Sequence, residues 1–103
     1  MRELRKIHDG DLTIQEDTSL HGIINGDVTV PYGQYFSLHG IVNGDIIVEK
    51  GGKAKVHGIV NGSVRNRSTV WIYGRVEHLF EDVEATTHVD AKAVITGKDN
   101  RLV

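Results

Sequence analysis

The amino-acid sequence predicts an all-β protein, a single parallel β-helix (β-solenoid) of triangular cross-section, with about 18 residues per turn and five to six turns. Three observations support this prediction. Nearly the same twelve residues recur at a step of 18, as SLHGIINGDVTV, SLHGIVNGDIIV and KVHGIVNGSVRN. Apolar residues, mostly valine and isoleucine, occupy alternate positions. Twelve glycines and one proline are unfavourable for helices.

The alternation has the period of a β-strand with one buried face. Within each copy the even-numbered positions hold apolar residues or glycine, except Asn66 at the end of the third copy, whereas most odd-numbered positions hold polar residues such as His21 and Asp27. The same parity continues from Leu20 to Phe80, which is too long for one strand of a chain of 103 residues. A meander of hairpins would not explain the 18-residue repeat. A coil explains both observations, because each turn lies in register about 4.8 Å above the turn below.

The first turn, 7–18, is predicted to be irregular. IHDGDLTI at 7–14 matches IINGDVTV at 23–30 at a step of 16 residues rather than 18. The regular repeat then covers 19–66, with three faces of about six residues in each turn. Two glycines of every copy are expected at the bends, either because their φ is positive or because they lack a Cβ atom.

The last turns, 67–97, are also predicted to be irregular. VWIYGRVEHLF at 70–80 matches the third copy with two residues missing. Beyond Asp82 the apolar residues move to odd-numbered positions, which predicts a bulge or insertion near 81–83. The whole chain, 1–103, is expected to form one domain, because its length is typical of one.

Stacking of the turns converts repeated positions into columns of side chains. The histidine column contains His21, His39 and His57 and continues to Tyr73. Imidazole is a zinc ligand, but three stacked rings make a poor tetrahedral site, so we predict no metal there. The simpler interpretation is that these residues flank a glycine bend. Stacked imidazolium groups would repel one another below about pH 6, which makes a pH-sensitive column a hypothesis.

A second column contains Asn25, Asn43 and Asn61. Asparagine favours bends, and stacked side-chain amides can hydrogen-bond from one turn to the next. We therefore interpret the asparagine column as structural.

A third column contains Ile23, Ile41 and Ile59, and the parity of these positions points their side chains outward. An outward apolar stripe on a small protein is a candidate interaction surface. Two alternatives stay open at this point. A terminal segment or loop covers the stripe, or the bend turns these residues inward.

Charged residues offer a further candidate surface. Basic residues are frequent in the middle of the chain, and an acidic group follows that includes Glu77, Glu81, Asp82 and Glu84. This group is a candidate surface for a basic partner, although an ordinary solvated surface is the simpler interpretation. Across the whole chain, 12 Lys and Arg nearly balance 14 Asp and Glu. We therefore expect neither nucleic acid nor an anionic membrane as a partner.

Several other classes of function are not expected. The chain has no cysteine and no apolar run long enough for a transmembrane helix. No apolar stretch follows the basic N-terminus, so we do not expect a secretory signal. We expect a cytoplasmic location instead. The GIING and GIVNG stretches precede no helix, and no nucleophile elbow, phosphate loop or zinc-protease motif is present. We therefore predict a protein that is not an enzyme and has no cofactor or small-molecule substrate.

The recurring HGIVNGDIIV unit, with paired Val and Ile between glycines and an aspartate after the second glycine, resembles the repeat of the bactofilin family. The resemblance covers 7–80 closely and 83–97 loosely. Bactofilins are bacterial cytoskeletal proteins whose core is a right-handed parallel β-helix that polymerises end to end without nucleotide. The resemblance therefore implies a right-handed coil and a homo-oligomer or filament that forms through the end turns.

Two other functions are kept as alternatives. A compact monomeric or dimeric protein, such as an immunity protein or antitoxin, could block a protein partner through one face. The short chain with few residues outside the repeat favours this alternative, whereas the repeat unit favours self-assembly. A hexapeptide-type acyltransferase or carbonic anhydrase-like enzyme is less compatible. Those coils place a small residue directly after the inward aliphatic residue, and here glycine follows two residues later.

Overall fold

The computed structural model describes residues 2–96 and the backbone of 100–101. These residues form parallel strands, turns and bends but no helix, and they wind into a β-solenoid of about six turns. The strands are β1 (Arg2–Leu4), β2 (Ile7–Asp9), β3 (Leu12–Thr13), β4 (Thr18–Leu20), β5 (Ile23–Asn25), β6 (Val28–Val30), β7 (Tyr35–Leu38), β8 (Ile41–Val42), β9 (Ile46–Val48), β10 (Lys53–Val56), β11 (Ile59–Asn66), β12 (Thr69–Ile72), β13 (Arg75–Glu81), β14 (Thr86–Val89), β15 (Val94–Ile95) and β16 (Asn100–Arg101).

Each turn contributes one strand segment to each of three stacked faces, as the predicted triangular section requires. The first face is a sheet in the order β1, β4, β7, β10, β12, β14. The second face contains β2, β5, β8, the first parts of β11 and β13, and β15. The third contains β3, β6, β9, the second parts of β11 and β13, and β16. The long strands β11 and β13 continue round a bend and join the second and third faces into one sheet.

The strand register confirms the repeat and both of its irregular steps. Thr18 pairs with Phe36, and Phe36 pairs with Ala54, which are steps of 18 residues. Arg2 pairs with Thr18, and Ala54 pairs with Val70, which are steps of 16. The turns directly before and after the regular repeat therefore begin with shorter steps, whereas the last turn has steps of 17 at Thr69–Thr86 and 19 at Arg75–Val94.

The core is a single cluster of stacked aliphatic side chains inside the coil. Among the described residues, every buried apolar side chain except Leu79 lies at an even-numbered position, as the alternation predicts. Each such valine, leucine or isoleucine stabilises the fold by about 1.5–3 kcal/mol relative to exposure. The fully buried set with the largest side chains includes Phe36, Ile14, Leu20, Ile24, Leu38, Ile46, Ile72 and Leu79.

The prediction that Phe80 lies on the inward face is wrong. Leu79 is fully buried, whereas Phe80 is only half-buried. The pairing of β13 with β11 shifts by one residue between Val76 and His78, so the inward face changes from even to odd positions there. The change of parity therefore comes before the stretch 81–83 where the sequence predicts a bulge. The alternation did not reveal this change, because Leu79 and Phe80 are both apolar.

The repeated glycines are required by a close approach of backbones. A Cβ atom on Gly40 would collide with the carbonyl oxygen of Gly22, and one on Gly58 would collide with that of Gly40. No glycine of the three regular copies has a positive φ; the described glycines with positive φ are Gly33, Gly51 and Gly10, the last at the position of Gly26 in the irregular first turn. Of the two explanations that the sequence left open, the missing Cβ is the correct one for the repeated positions.

We predict that Gly40→Ala destabilises the protein by about 3 kcal/mol, the upper end of the usual cost of overpacking. The collision involves backbone atoms, which cannot move without opening the ladder between two turns. Unfolding in urea measures the effect. Gly33→Asn is the comparison and should cost less, because its added Cβ meets no atom within 4 Å and only the backbone strain at a φ of 80° opposes it, which asparagine tolerates better than most residues. Equal losses for the two variants would contradict the steric explanation.

Candidate functional site

A groove of about 770 Å³ follows the bend between the first and second faces, and we call it the corner groove. The glycine column lies between the two walls, because every repeat reads histidine or tyrosine, then glycine, then the outward residue of the second face. Since these glycines have no side chain, the bend leaves an open channel along the solenoid. The glycines of this column are Gly22, Gly40, Gly58 and Gly74.

The histidine column forms one wall of the corner groove. The rings of His21 and His39 stack with centroids 5.0 Å apart and planes at 6°, and those of His39 and His57 with 4.9 Å and 2°. Tyr73 continues the stack at 4.7 Å and 4°, as the sequence predicts. Parallel rings at this spacing do not converge on a common point. No group of three or more potential metal ligands occurs among the described residues.

The surroundings of the three histidines differ from turn to turn. Ser19 Oγ and His21 Nε2 are hydrogen-bonded at 3.1 Å, and the equivalent pair one turn above is at 3.0 Å. In the next turn Lys55 replaces the serine. Burial lowers the pKa of His57 below its usual value, and the nearby His39 and Lys55 lower it further.

The isoleucine column forms the other wall, and its side chains point outward as predicted. Ile23 and Ile41 are half-buried, Ile59 is 38% exposed, and Ile7 in the first turn is 64% exposed. Strand pairing places Ile7, Ile23, Ile41 and Ile59 directly above one another. The described part of the chain therefore leaves an apolar stripe accessible to solvent beside the glycines.

Basic side chains lie at both ends of the corner groove, and the sequence-based candidates did not include them. Arg5 and Lys6 line it in the first turn, and Arg75 and Lys92 line it in the last two turns. Among its described lining residues there is no aspartate or glutamate. The sequence could have identified one of these basic residues. The YGRV stretch aligns with HGIV, which places Arg75 at an isoleucine position.

The asparagine column is confirmed as a ladder of side-chain hydrogen bonds. Asn61 Nδ2 donates to Asn43 Oδ1 at 2.7 Å, and Asn43 Nδ2 donates to Asn25 Oδ1 at 2.6 Å. Asn25 Nδ2 donates to the carboxylate of Asp9 at 2.8 Å, which anchors the column in the first turn. Every donated bond runs in the same direction, so Asn25 and Asn43 each donate one hydrogen bond and accept one.

A parallel aspartate column stabilises the bend between the second and third faces, and sequence analysis missed its role. Asp11 accepts a hydrogen bond from the backbone nitrogen of Asp27 at 2.8 Å, and Asp27 accepts one from that of Asp45 at 2.8 Å. Asp45 in turn accepts from the nitrogen of Ser63 at 2.7 Å. The recurring glycine–aspartate dipeptide was the available signal. These carboxylates satisfy backbone donors at the bend.

The predicted acidic group does not form one continuous patch. Its members lie on different parts of the solenoid, and they are Glu77, Glu81, Asp82 and Glu84. On the second face, the Glu77 carboxylate accepts a hydrogen bond from Thr96 at 2.7 Å. At the bend before β14, Glu84 lies 3.8 Å from Lys50. Glu81 and Asp82, at the end of the third face, line a depression together with Arg65 and Arg67.

Comparison with family models, with curated proteins and with solved structures gave no match to this chain. Within the described residues, no helix has the length and apolar character needed to cross a membrane. The fold is therefore assigned from the strand pairing alone. The corner groove has a larger volume than the depression lined by Glu81 and Asp82.

We predict that the protein loses stability as the pH falls from 7.5 to 5.5. Because the pKa of folded His57 is lowered, the unfolded chain binds more protons below about pH 6.5, and unfolding becomes easier. The ring is largely solvated, so the loss should be well under about 1.4 kcal/mol, the energy of one pKa unit. Urea unfolding at the two pH values measures it.

His57→Tyr should reduce this pH dependence, because it removes the imidazole and keeps a stacked ring, as at Tyr73. His8→Gln, outside the histidine column, is the control and should behave as the parent protein does. An unchanged pH dependence in His57→Tyr would exclude His57 as its source.

Proposed function

We propose that this protein is a non-catalytic structural module that assembles with further copies of itself through its end turns, as bactofilins do. The observation that supports the proposal is that both ends of the solenoid leave parallel strands with one unpaired edge. Within the described residues, β1, β2 and β3 pair only with β4, β5 and β6, and β14 pairs only with β12. Such edges are templates for another chain.

The first turn presents an open apolar end to solvent. A depression of about 460 Å³ there is lined by Leu4, Ile7, Leu12 and Leu20 among others. Leu4 and Leu12 are half-buried and pack against the core. They are the first described members of inward columns, and no described turn lies below them to cover them fully. A second solenoid end would cover them.

Apolar side chains of the last described turn are also partly exposed, as those of the first turn are. Val89 pairs with Ile72, which is fully buried, yet Val89 itself is 39% exposed because no described turn lies above it. Val94, at the end of the isoleucine column, is 50% exposed. Apolar end faces at both ends of a rod allow contacts to propagate without closing, and such contacts produce filaments.

A second function, binding of a protein partner through the side of the solenoid, is supported by a different observation. The corner groove combines an accessible apolar stripe with basic ends, and neither feature is needed for end-to-end contact. This is the arrangement that an immunity protein or antitoxin would use to block its partner. Both functions fit one molecule, because the groove runs along the side of the solenoid and shares with the end depression only its first turn, where Arg5, Lys6 and Ile7 line both.

We predict that the mass of the protein in solution rises with concentration and that Val89→Lys prevents this rise. A lysine at Val89 adds a charge to the inward column that the next copy must cover. Light scattering across protein concentration, with electron microscopy of the same samples, measures the effect. Thr86→Lys, an exposed outward position of the same strand, is the matched control and should assemble normally.

A parent protein of fixed mass at every concentration would contradict self-assembly, and so would a Val89→Lys variant that assembles fully. Mixing Leu4→Lys with Val89→Lys then identifies the ends that meet. If the first turn of one copy contacts the last turn of another, the mixture forms dimers that neither variant forms alone.

A further inference from the structure

The charge of the corner groove is opposite to that of the whole molecule. The chain has a formal net charge of −2, yet the groove is lined by four basic side chains, three histidines and no described acidic residue. Glu3 is the nearest exception, since it lies 3.4 Å from Arg5 and 3.6 Å from His21. Within the described residues, neither Arg75 nor Lys92 forms an ion pair. The groove therefore has cations available for an acidic ligand.

The length and width of the groove indicate the shape of that ligand. Lining residues come from all six turns, so at about 4.8 Å per turn the groove is roughly 24 Å long. Its volume of about 770 Å³ then gives a mean cross-section of about 30 Å². An extended chain of about seven residues spans this length. An extended chain therefore spans the groove with few residues, whereas a helix needs about 16 residues for the same length.

The order of features along the groove specifies the composition of the ligand. The cations lie at the two ends, and the isoleucine column with the glycines lies between them. A complementary segment has carboxylates at both ends and apolar side chains in the middle. A flat membrane surface does not enter a concave bend, and a nucleic acid would place its phosphates over isoleucine. A protein segment satisfies both requirements.

We propose that the corner groove is a binding site for an extended, acidic segment of a partner protein, about seven residues long, whose apolar side chains pack on the isoleucine column. The carboxylates at its ends pair with Lys6, Arg75 and Lys92. This inference rests on the second function proposed above, the binding of a partner through the side of the solenoid. End-to-end assembly neither requires it nor follows from it.

The test uses fluorescent heptapeptides with two aspartates at each end and valine, leucine or phenylalanine at the three middle positions. Fluorescence anisotropy with the Val89→Lys protein measures binding without assembly. We expect saturable binding that weakens with added salt. Heptapeptides with lysine in place of aspartate, or with serine in place of the apolar residues, should not bind. Absence of saturable binding by every acidic heptapeptide would overturn the proposal.

Two variants locate the site, each with a matched control. Arg75→Glu should weaken binding by about tenfold or more, because it reverses a charge at one end of the groove. Its control is Lys53→Glu, an exposed position on the first face. Ile41→Asp should also weaken binding by about tenfold or more. Its control is Ile47→Asp, a half-buried outward isoleucine on the third face of the same turn. Equal effects in a variant and its control would overturn the assignment.

Two further outcomes identify other occupants and would overturn the proposal. Sedimentation of the protein with phosphatidylserine vesicles, lost in Arg75→Glu, would make the groove a lipid site. Loss of concentration-dependent mass in Arg75→Glu would make the occupant a second copy of this chain. Arg75 is exposed, so the circular dichroism of the Arg75→Glu variant should match that of the parent protein. The test therefore remains valid even if the Ile41→Asp variant does not fold. Failure of peptide binding leaves end-to-end assembly unaffected.

Discussion

The structure depends on one constraint, the in-register stacking of each turn on the turn below. The backbone hydrogen bonds that connect successive turns are short. His39 N donates to Leu20 O at 2.8 Å, and His57 N donates to Leu38 O at 2.7 Å. Equivalent residues are then held about 4.8 Å apart, which means that each side chain must tolerate a copy of itself as neighbour. At the bends the backbones approach so closely that only glycine fits, as at Gly40 and Gly58.

Each kind of side chain meets this constraint in its own way. Aliphatic side chains fill the interior, and asparagine amides both donate and accept, so a column of them satisfies itself. Imidazole and phenol rings stack face to face. Aspartates would repel their own copies, but Asp27 and Asp45 accept backbone N–H groups, which offset the charge. The twelve residues recur at a constant step because each of them must stack on its own copy in the next turn.

A solenoid built in this way has two kinds of candidate functional surface, and they arise for different reasons. At its ends, Leu4 and Val89 have no further described turn to cover them. Its sides are shaped by the columns. The corner groove exists because a glycine column separates two columns of larger side chains, and its charge comes from residues that break the repeat. The proposed self-assembly would use the ends and the proposed partner binding would use the side, with the residues of the first turn common to both.

The sequence by itself determined the fold, the 16-residue and 18-residue steps, the buried even positions and the stacked histidine and asparagine columns. It could do so because a fixed repeat specifies which residues become neighbours. Only the tertiary structure decided that Leu79 rather than Phe80 is buried, because both are apolar and the register shift leaves no mark in the alternation. It also decided that Lys92 and Arg5 meet the isoleucine column at a single groove. These residues lie outside the repeated unit, so their positions depend on the path of the end turns.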